Sequence, residues 1–392
     1  MTSTLAIPTR ASDLDERMLA RAARLAWRAA GDVEPNPLVG CIIGRPRTEN
    51  DVEILGAGHH RRFGGAHAEI EAIADCERRG ASPRGATAWV TLEPCAHTGK
   101  TGPCVDALIR AGLARVVVAR RDPHPPAAGG FERLRAVGIE TAVVPCAAAR
   151  RLTDPFIKRL ETGLPWIIAK WAQSIDGRLA TRDGESQWIS GPRSRRRVHR
   201  LRGRVDAIVT GIGSVLADDP RLTARGLRRI RRTAARIVID PNLNTPADSA
   251  LVASISEAPL IIACAADAVE AGEATAQVLR ECGAELWTFD RDNGAIDLRE
   301  VFARLVSDRD ATNVLVEAGP GLLGRLFEAD LIDEARVFIA PLMFADADAA
   351  PVARGRPLGR LRDATRFTVE HVRRLDDDIE IAYRRARESD AR

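Results

Sequence analysis

The order His67-Ala68-Glu69, then Glu93-Pro94-Cys95, then Cys104 constrains this 392-residue chain more than any other feature. A neutral imidazole and two thiolates hold Zn2+ tetrahedrally and leave one coordination position open for water, whose pKa the metal lowers to about 7. Glu69, two residues beyond the histidine, brings a carboxylate that is not needed as a ligand. It is free to take a proton from that water and hand it to a leaving group. Taken singly, a His or Cys is more often a satisfied core or surface residue than a ligand. The ordered set is far harder to obtain by chance.

The local context agrees with a metal site. Gly64-Gly65-Ala66 is a turn signal, and His67 to Arg78 predicts a helix with Ile70, Ile73 and Ala74 on one face, so His67 and Glu69 fall in its first turn. Thr87 to Leu92 reads as a short buried strand ending before Pro94-Cys95, and Cys104 opens a second helical stretch, Val105 to Gly112. Helix N-termini favour thiolate and carboxylate charge. The chemistry is that of a zinc deaminase, with Glu69 as the proton shuttle. The common deaminase signature leaves two residues between its cysteines. Here eight lie between Cys95 and Cys104.

That spacing resembles one family in particular. The run from Thr91 to Ala111, with Pro35-Asn36-Pro37-Leu38-Val39-Gly40 upstream, is similar to the deaminase half of the bifunctional riboflavin-biosynthesis deaminase/reductase family. The segments Lys170 to Arg178, Gly184 to Ser190, Gly211 to Thr223 and Val316 to Gly321 resemble that family's reductase half, so the likeness runs from about Leu14 to Tyr383. The resemblance implies two domains. The first is a cytidine-deaminase-like three-layer α/β domain, and the second a dihydrofolate-reductase-like α/β domain. It also implies two reactions, zinc-dependent deamination of a phosphorylated ribosylaminopyrimidine and NADPH-dependent reduction of its ribosyl group to ribityl.

Carried over position by position, the family's pattern makes His67, Cys95 and Cys104 the zinc ligands, Glu69 the catalytic group and Asn36 a substrate contact. In the second half it assigns Ala172, Trp188, Ser214, Asp218, Gly319, Pro320 and Gly321 to NADPH, and Ser186, Arg202, Leu222, Arg225 and Glu317 to the substrate. Bland readings stand beside these. Asn36 sits in a Pro-Asn-Pro turn, Trp188 reads equally as core, and Asp218-Asp219-Pro220 as an N-cap and turn. Without a family name, Asn313 to Val316 is an apolar strand running into Glu317-Ala318-Gly319-Pro320-Gly321, ahead of helical Leu322 to Phe327. Such a glycine-rich turn lets backbone N–H groups approach a phosphate, although by itself it is usually only a turn.

Length predicts two to three domains, expected at residues 12–150 and 164–384. In the first, Leu14, Met18, Ala22 and Leu25 form one helical face, with Ser12 as cap and Gly31 as stop. Strands are expected at Leu38 to Ile43, Thr87 to Leu92, Arg115 to Ala119 and Glu140 to Val144. A charged connector, Arg150 to Pro155 with Lys158-Arg159, marks the boundary. Further strands are expected at Trp166 to Trp171, Ala207 to Thr210, Arg236 to Asp240, Leu260 to Cys264 and Ala335 to Pro341, ahead of a polar tail from Arg384.

Seven cysteines, an odd number with two assigned to metal, argue against a disulfide framework, and the other five read as buried thiols. No apolar run reaches the 18 or so residues of a membrane span, which with the absence of a signal-peptide pattern points to the cytoplasm. Net charge is +4, and the basic character is carried almost wholly by arginine, with three lysines in all. Arg193 to Arg204 holds seven arginines and Arg225 to Arg236 six, without the interleaved aromatics of a base-stacking surface. Most read as a solvated face, and a minority as clamps for a substrate phosphate. The expected partners are the small-molecule substrate and a second copy of the chain, with no nucleic acid and no membrane.

Three departures from the family pattern stand out: Gly102-Pro103 where two prolines are usual, a short loop over 122–130, and Ala340 to Asp346 without the expected glycines. Two rivals are a tRNA adenosine deaminase with an accessory domain, and a purely structural zinc protein. The latter needs a fourth ligand, for which His97 is the nearest candidate.

Overall fold

The computed structural model describes residues 13–96, 102–124, 129–292, 294–355 and 357–386, and divides between Glu161 and Thr162 into two compact units. Ser12, His97 and the tail beyond residue 386 lie outside the described residues, as does the middle of the 122–130 loop.

The first unit contains α1 (Asp13–Ala26), β1 (Gly40–Pro46), β2 (Val52–His59), α2 (Ala68–Arg78), β3 (Thr87–Val90), α3 (Cys104–Arg110), β4 (Arg115–Val118), α4 (Gly130–Ala136), β5 (Glu140–Val143) and α5 (Ala147–Thr162). The sheet order is β2-β1-β3-β4-β5, with the hairpin strands antiparallel and β3, β4 and β5 parallel. Side chains alternate along each strand, so each face has its own core. Cys41, Ile43, Ala88, Val90, Val116 and Val118 pack with α2, α3 and α4. Ile42, Trp89 and Val117 pack with α1 and α5. This is the three-layer α/β arrangement expected.

Three details differ from the sequence reading. The expected charged connector is the helix α5, which buries Ala149, Leu152, Thr153 and Ile157 and hides its amphipathic period under a surplus of arginine. β2 was not expected, because its glycines weaken the strand signal. α2 buries Ala68, Glu69, Ala72 and Cys76, while Ile70, Ile73 and Ala74 are half-buried. The reason is close packing on β2: a Cβ on Gly56 would lie 2.4 Å from Ala72 O, and one on Gly58 would lie 2.3 Å from Ala72 N and 2.4 Å from Ala68 O. Only small residues fit where a helix backbone meets a strand backbone so closely.

The second unit runs β6 (Trp166–Gln173), β7 (Arg178–Ala180), α6 (Pro192–Arg202), β8 (Ala207–Gly211), α7 (Ile212–Asp218), β9 (Ala235–Ile239), α8 (Ala250–Ala253), β10 (Leu260–Ala265), α9 (Ala266–Ala271), α10 (Glu273–Glu281) and β11 (Glu285–Phe289). It continues with β12 (Arg291–Asp292), β13 (Ala295–Ile296), α11 (Leu298–Arg309), β14 (Asn313–Glu317), α12 (Pro320–Glu328), β15 (Glu334–Ile339), β16 (Ala350–Pro351), β17 (Phe367–Leu375) and β18 (Asp378–Arg385). Nine strands form one sheet in the order β11-β10-β9-β8-β14-β6-β15-β18-β17, all running one way except β18, which is antiparallel to both β15 and β17. One face packs Ile167, Val209, Ile237, Ile261 and Val314 under α11 and α12. The other packs Ile168, Ile208, Val238, Ile262 and Leu315 with α7 to α10. β18 carries Arg384 and Arg385, so the chain is still in the sheet where a tail was expected.

Two sequence readings are corrected here. Cys282 is exposed, because it follows α10 at the surface, whereas Cys41, Cys76, Cys146 and Cys264 are buried. Arg236 is fully buried rather than solvated. Its two terminal nitrogens donate to Ser254 Oγ at 2.7 Å, to Ser254 O at 3.0 Å and to the carbonyls of Arg221 and Ala258, while Nε has no partner among the described residues.

Candidate active sites

In the first unit the site forms at the end of β3, where the N-termini of α2 and α3 converge. His67 is the residue that caps α2, and its carbonyl accepts from Glu71 N at 3.1 Å. Cys104 is the first residue of α3. The ligand atoms of His67, Cys95 and Cys104 all lie within 4.8 Å of one another. His67 Nδ1 is 3.2 Å from Cys104 Sγ and 3.6 Å from Cys95 Sγ, and Cys104 N–H donates to Cys95 Sγ at 3.5 Å. The Cys104 thiol, and then the His67 ring, outweigh burial and draw Cys95 down to about 4, while Cys104 is pushed up beside it. One imidazole and two thiols, one of them readily ionised, make a donor set suited to Zn2+.

Glu69, the second residue of α2, is 3% exposed; burial, and next the charge of Cys95, raise its pKa to about 7. A group that titrates there can both take and return a proton near neutral pH. Asn36 is also brought to this site. His60, on the loop leaving β2, packs edge-on to His67 with ring centroids 5.4 Å apart. Its Nδ1 donates to Ala66 O at 2.9 Å, which leaves Nε2 to accept from Asn36 Nδ2 at 3.2 Å. Asn36 is thereby oriented rather than a plain turn residue. His60 was not singled out from sequence, and a buried histidine at a strand end seven residues before His67 was the available signal. Glu93 was likewise given no role. Its buried carboxylate accepts from Arg121 Nε at 2.6 Å, Asp122 N at 3.1 Å and Phe131 N at 3.0 Å, gripping both ends of the short 122–130 loop.

In the second unit, every reductase residue proposed from sequence lines one cavity of about 1170 Å³ at the carboxyl ends of β6, β8, β9 and β14. This is where parallel sheets present ligands. Ala172 comes from β6, Ser214 and Asp218 from α7, and Gly319, Pro320 and Gly321 from the entry to α12. Gly319 N donates to Ser214 Oγ at 3.1 Å, and a Cβ on Gly213 or Gly321 would meet nothing within 4 Å. That open space beside two helix N-termini fits a dinucleotide phosphate. Ser186 Oγ donates to Asp218 Oδ1 at 2.8 Å, so Asp218, the last residue of α7, is no N-cap. Trp188 is 68% exposed with the Arg195 guanidinium 4.6 Å from its ring, which removes the core reading.

Glu317 anchors the polar side of this cavity. Arg202 donates to it through Nε at 2.6 Å and through its terminal nitrogen at 3.1 Å, and Lys170 Nζ does so at 3.4 Å. Burial alone would raise the Glu317 carboxyl, but Arg202 and Lys170 outweigh it and hold it near 2. Lys170 lies in the first reductase-like segment, where nothing in the sequence marks it as a partner of Glu317. Leu222 is buried with φ of 51°, in the left-handed region that a non-glycine residue adopts at a cost. Arg225 has no side-chain partner among the described residues, which leaves its fork available to an anion.

Fold and sites together define a two-domain α/β enzyme, a zinc deaminase joined to a reductase. Residues 12–120 match the cytidine and deoxycytidylate deaminase zinc-binding region, and residues 165–381 match the RibD C-terminal domain. The chain belongs to the RibD family of riboflavin biosynthesis proteins. It is 39% identical to riboflavin biosynthesis protein RibD of Escherichia coli K12, over 93% of this chain and 98% of that one. It is 34% identical to that of Aquifex aeolicus VF5, over 95% and 99%. Among solved structures, RibD of Acinetobacter baumannii is 31% identical with a TM-score of 0.78, covering 95% and 99%. A Thermotoga maritima diaminohydroxyphosphoribosylaminopyrimidine deaminase/5-amino-6-(5-phosphoribosylamino)uracil reductase is 29% identical with a TM-score of 0.79, covering 96% and 100%. The reductase domain disfavours the tRNA-deaminase reading. Among the described residues the metal cluster has three ligands, and no described helix is long and apolar enough to cross a membrane.

Proposed function

We propose that the first unit hydrolytically deaminates 2,5-diamino-6-(5-phosphoribosylamino)pyrimidin-4-one, and that the second reduces the ribosyl group of the product to ribityl with NADPH, giving 5-amino-6-(5-phosphoribitylamino)uracil. The observation that carries the first half is a buried carboxylate two residues from one of three converging zinc-type ligands. Zinc held by His67, Cys95 and Cys104 would acidify water and polarise it for attack. Glu69 accepts the proton and returns it to the departing amine, and its burial disfavours the charged carboxylate and so favours holding that proton between the two transfers. Asn36, oriented by His60, offers its remaining donor and acceptor to the pyrimidine ring.

For the second half, NADPH would supply hydride to the sugar carbon attached to nitrogen. Gly213, Gly319 and Gly321, with Ser214, Trp188 and Ala172, provide room and backbone donors for it. Arg225 takes the substrate phosphate, and Glu317 holds Arg202 and Lys170 in place around the sugar. Ser186 tethers Asp218 at the cavity edge.

A coupled assay tests the whole reading: ammonia released from the diaminopyrimidine phosphate should precede NADPH oxidation in the same cuvette. A Glu69→Gln variant should retain zinc, lose deaminase turnover by at least about 1000-fold, and still reduce the deaminated intermediate. Full deaminase turnover in that variant would sink the assignment.

A further inference from the structure

We propose that the carboxylates of β18, Asp378 and Glu380, are positioning residues for the reductase cavity, acting through α6. The inference rests on the reading that Arg202 contacts the reductase substrate.

The start of α6 is poorly specified by its own sequence, Pro192-Arg193-Ser194-Arg195-Arg196-Arg197-Val198-His199-Arg200-Leu201-Arg202. It contains no acidic residue, its first turn is basic where the helix dipole favours negative charge, and its N-cap, Gly191, has no side chain to offer. Like charges at i,i+4 add repulsion. Its buried residues are Ser194 and Val198, so a single apolar side chain, seated among Phe338, Leu375 and Ala172, sits fully in a core. Arginine propagates a helix well and Leu201 leans on a neighbouring core, but neither sets where the helix begins or how it is rotated.

What fixes it comes from the far end of the chain. Asp378 is buried, and its Oδ2 accepts from Gly191 N at 2.7 Å and from the buried Ser194 hydroxyl at 2.5 Å. It therefore supplies the missing cap and the missing negative charge together. Two residues on, on the same face of β18, Glu380 is fully buried and receives Arg197 Nε at 3.2 and 3.1 Å. Arg336 reaches Glu380 at 3.5 Å from the neighbouring strand. Asp376 pairs with Arg193 at 3.0 Å, but both are well exposed and that contact counts for little.

A neighbouring side of α6 faces the cavity with Arg195, His199 and Arg202, of which Arg195 covers the Trp188 ring and Arg202 meets Glu317. A helix turns by 3.6 residues and rises 1.5 Å per residue. The clamp at Gly191, Ser194 and Arg197 thus sets both the height and the rotation at which those cavity residues arrive. β18 does not touch the substrate. It sets where the substrate's cationic wall stands.

The test uses the full-length, zinc-loaded protein and isosteric changes, Asp378→Asn and Glu380→Gln. The expected result is a rise of about tenfold in reductase KM for the deaminated phosphoribosyl substrate, with kcat within about twofold and deaminase kinetics unchanged. Ser194→Ala, which removes one of the two donors to Asp378 and is small enough to keep the fold, should give a smaller rise in the same direction. Loss of thermal stability with an unchanged KM in all three variants would overturn the proposal and leave the clamp a purely structural brace. Arg202→Ala separates the two layers of inference. If it too leaves KM unchanged, the reading of Arg202 fails; if it raises KM while the β18 variants do not, only the positioning role fails.

Discussion

At the scale of single residues, Ala345 occupies left-handed backbone with φ of 52° in a segment where the family pattern leads one to expect glycine. Asp176 holds the strained turn, accepting from Ala345 N at 2.9 Å and Phe344 N at 3.2 Å. Ala345→Gly should relieve about 1 kcal/mol of strain and return part of it as unfolded-chain entropy. A rise of about 1–2 °C in the melting temperature of the second unit is expected, and a fall would show that the site tolerates alanine without strain. Glu317 makes a second test. Its folded pKa, near 2, lies below the unfolded value of about 4.3, so its contribution is complete above pH 4.3 and fades as the pH falls toward 2. Acid titration of the second unit over that window should be steeper for wild type than for Glu317→Gln. The roles of residues like these were partly legible: ligand types and spacing named His67, Glu69, Cys95 and Cys104, because the chemistry restricts the choice of residue. His60, Glu93 and Lys170 were not assigned, since their partners lie in segments that only folding brings together.

At the scale of elements, the metal site is held by how closely α2 lies on β2. Gly58 faces backbone atoms of Ala68, Glu71 and Ala72, none of which can move aside as a side-chain tip could. Gly58→Ala should therefore push α2 outward and carry His67 and Glu69 with it. Zinc content should fall well below one per chain and deaminase turnover with it, at a stability cost of about 2 kcal/mol or more; full zinc occupancy in that variant would contradict the account. Elements rich in apolar residues, such as β3, β4, β8 and β10, were readable from sequence as buried runs. β2, α5 and the β17–β18 hairpin were missed because small or charged residues carry them. Glycines dilute the strand pattern in β2, and arginines mask the amphipathic period in α5. Exposed Val369 and Val372 blur the alternation of the edge strand.

At the scale of the whole molecule, the zinc-type ligands all belong to the first unit and the large cavity to the second, and each unit carries its own cores. Chelation should accordingly abolish ammonia release and leave NADPH oxidation on the deaminated intermediate within about twofold of the untreated enzyme. Loss of both activities on chelation would mean that the metal supports the second unit as well. Two units with cores of their own have a genetic consequence. Substitutions that silence only the metal-ligand unit and substitutions that silence only the cavity unit should fall into separate complementation groups. A cell expressing one chain of each kind would complete both steps, provided the intermediate diffuses from one chain to the other.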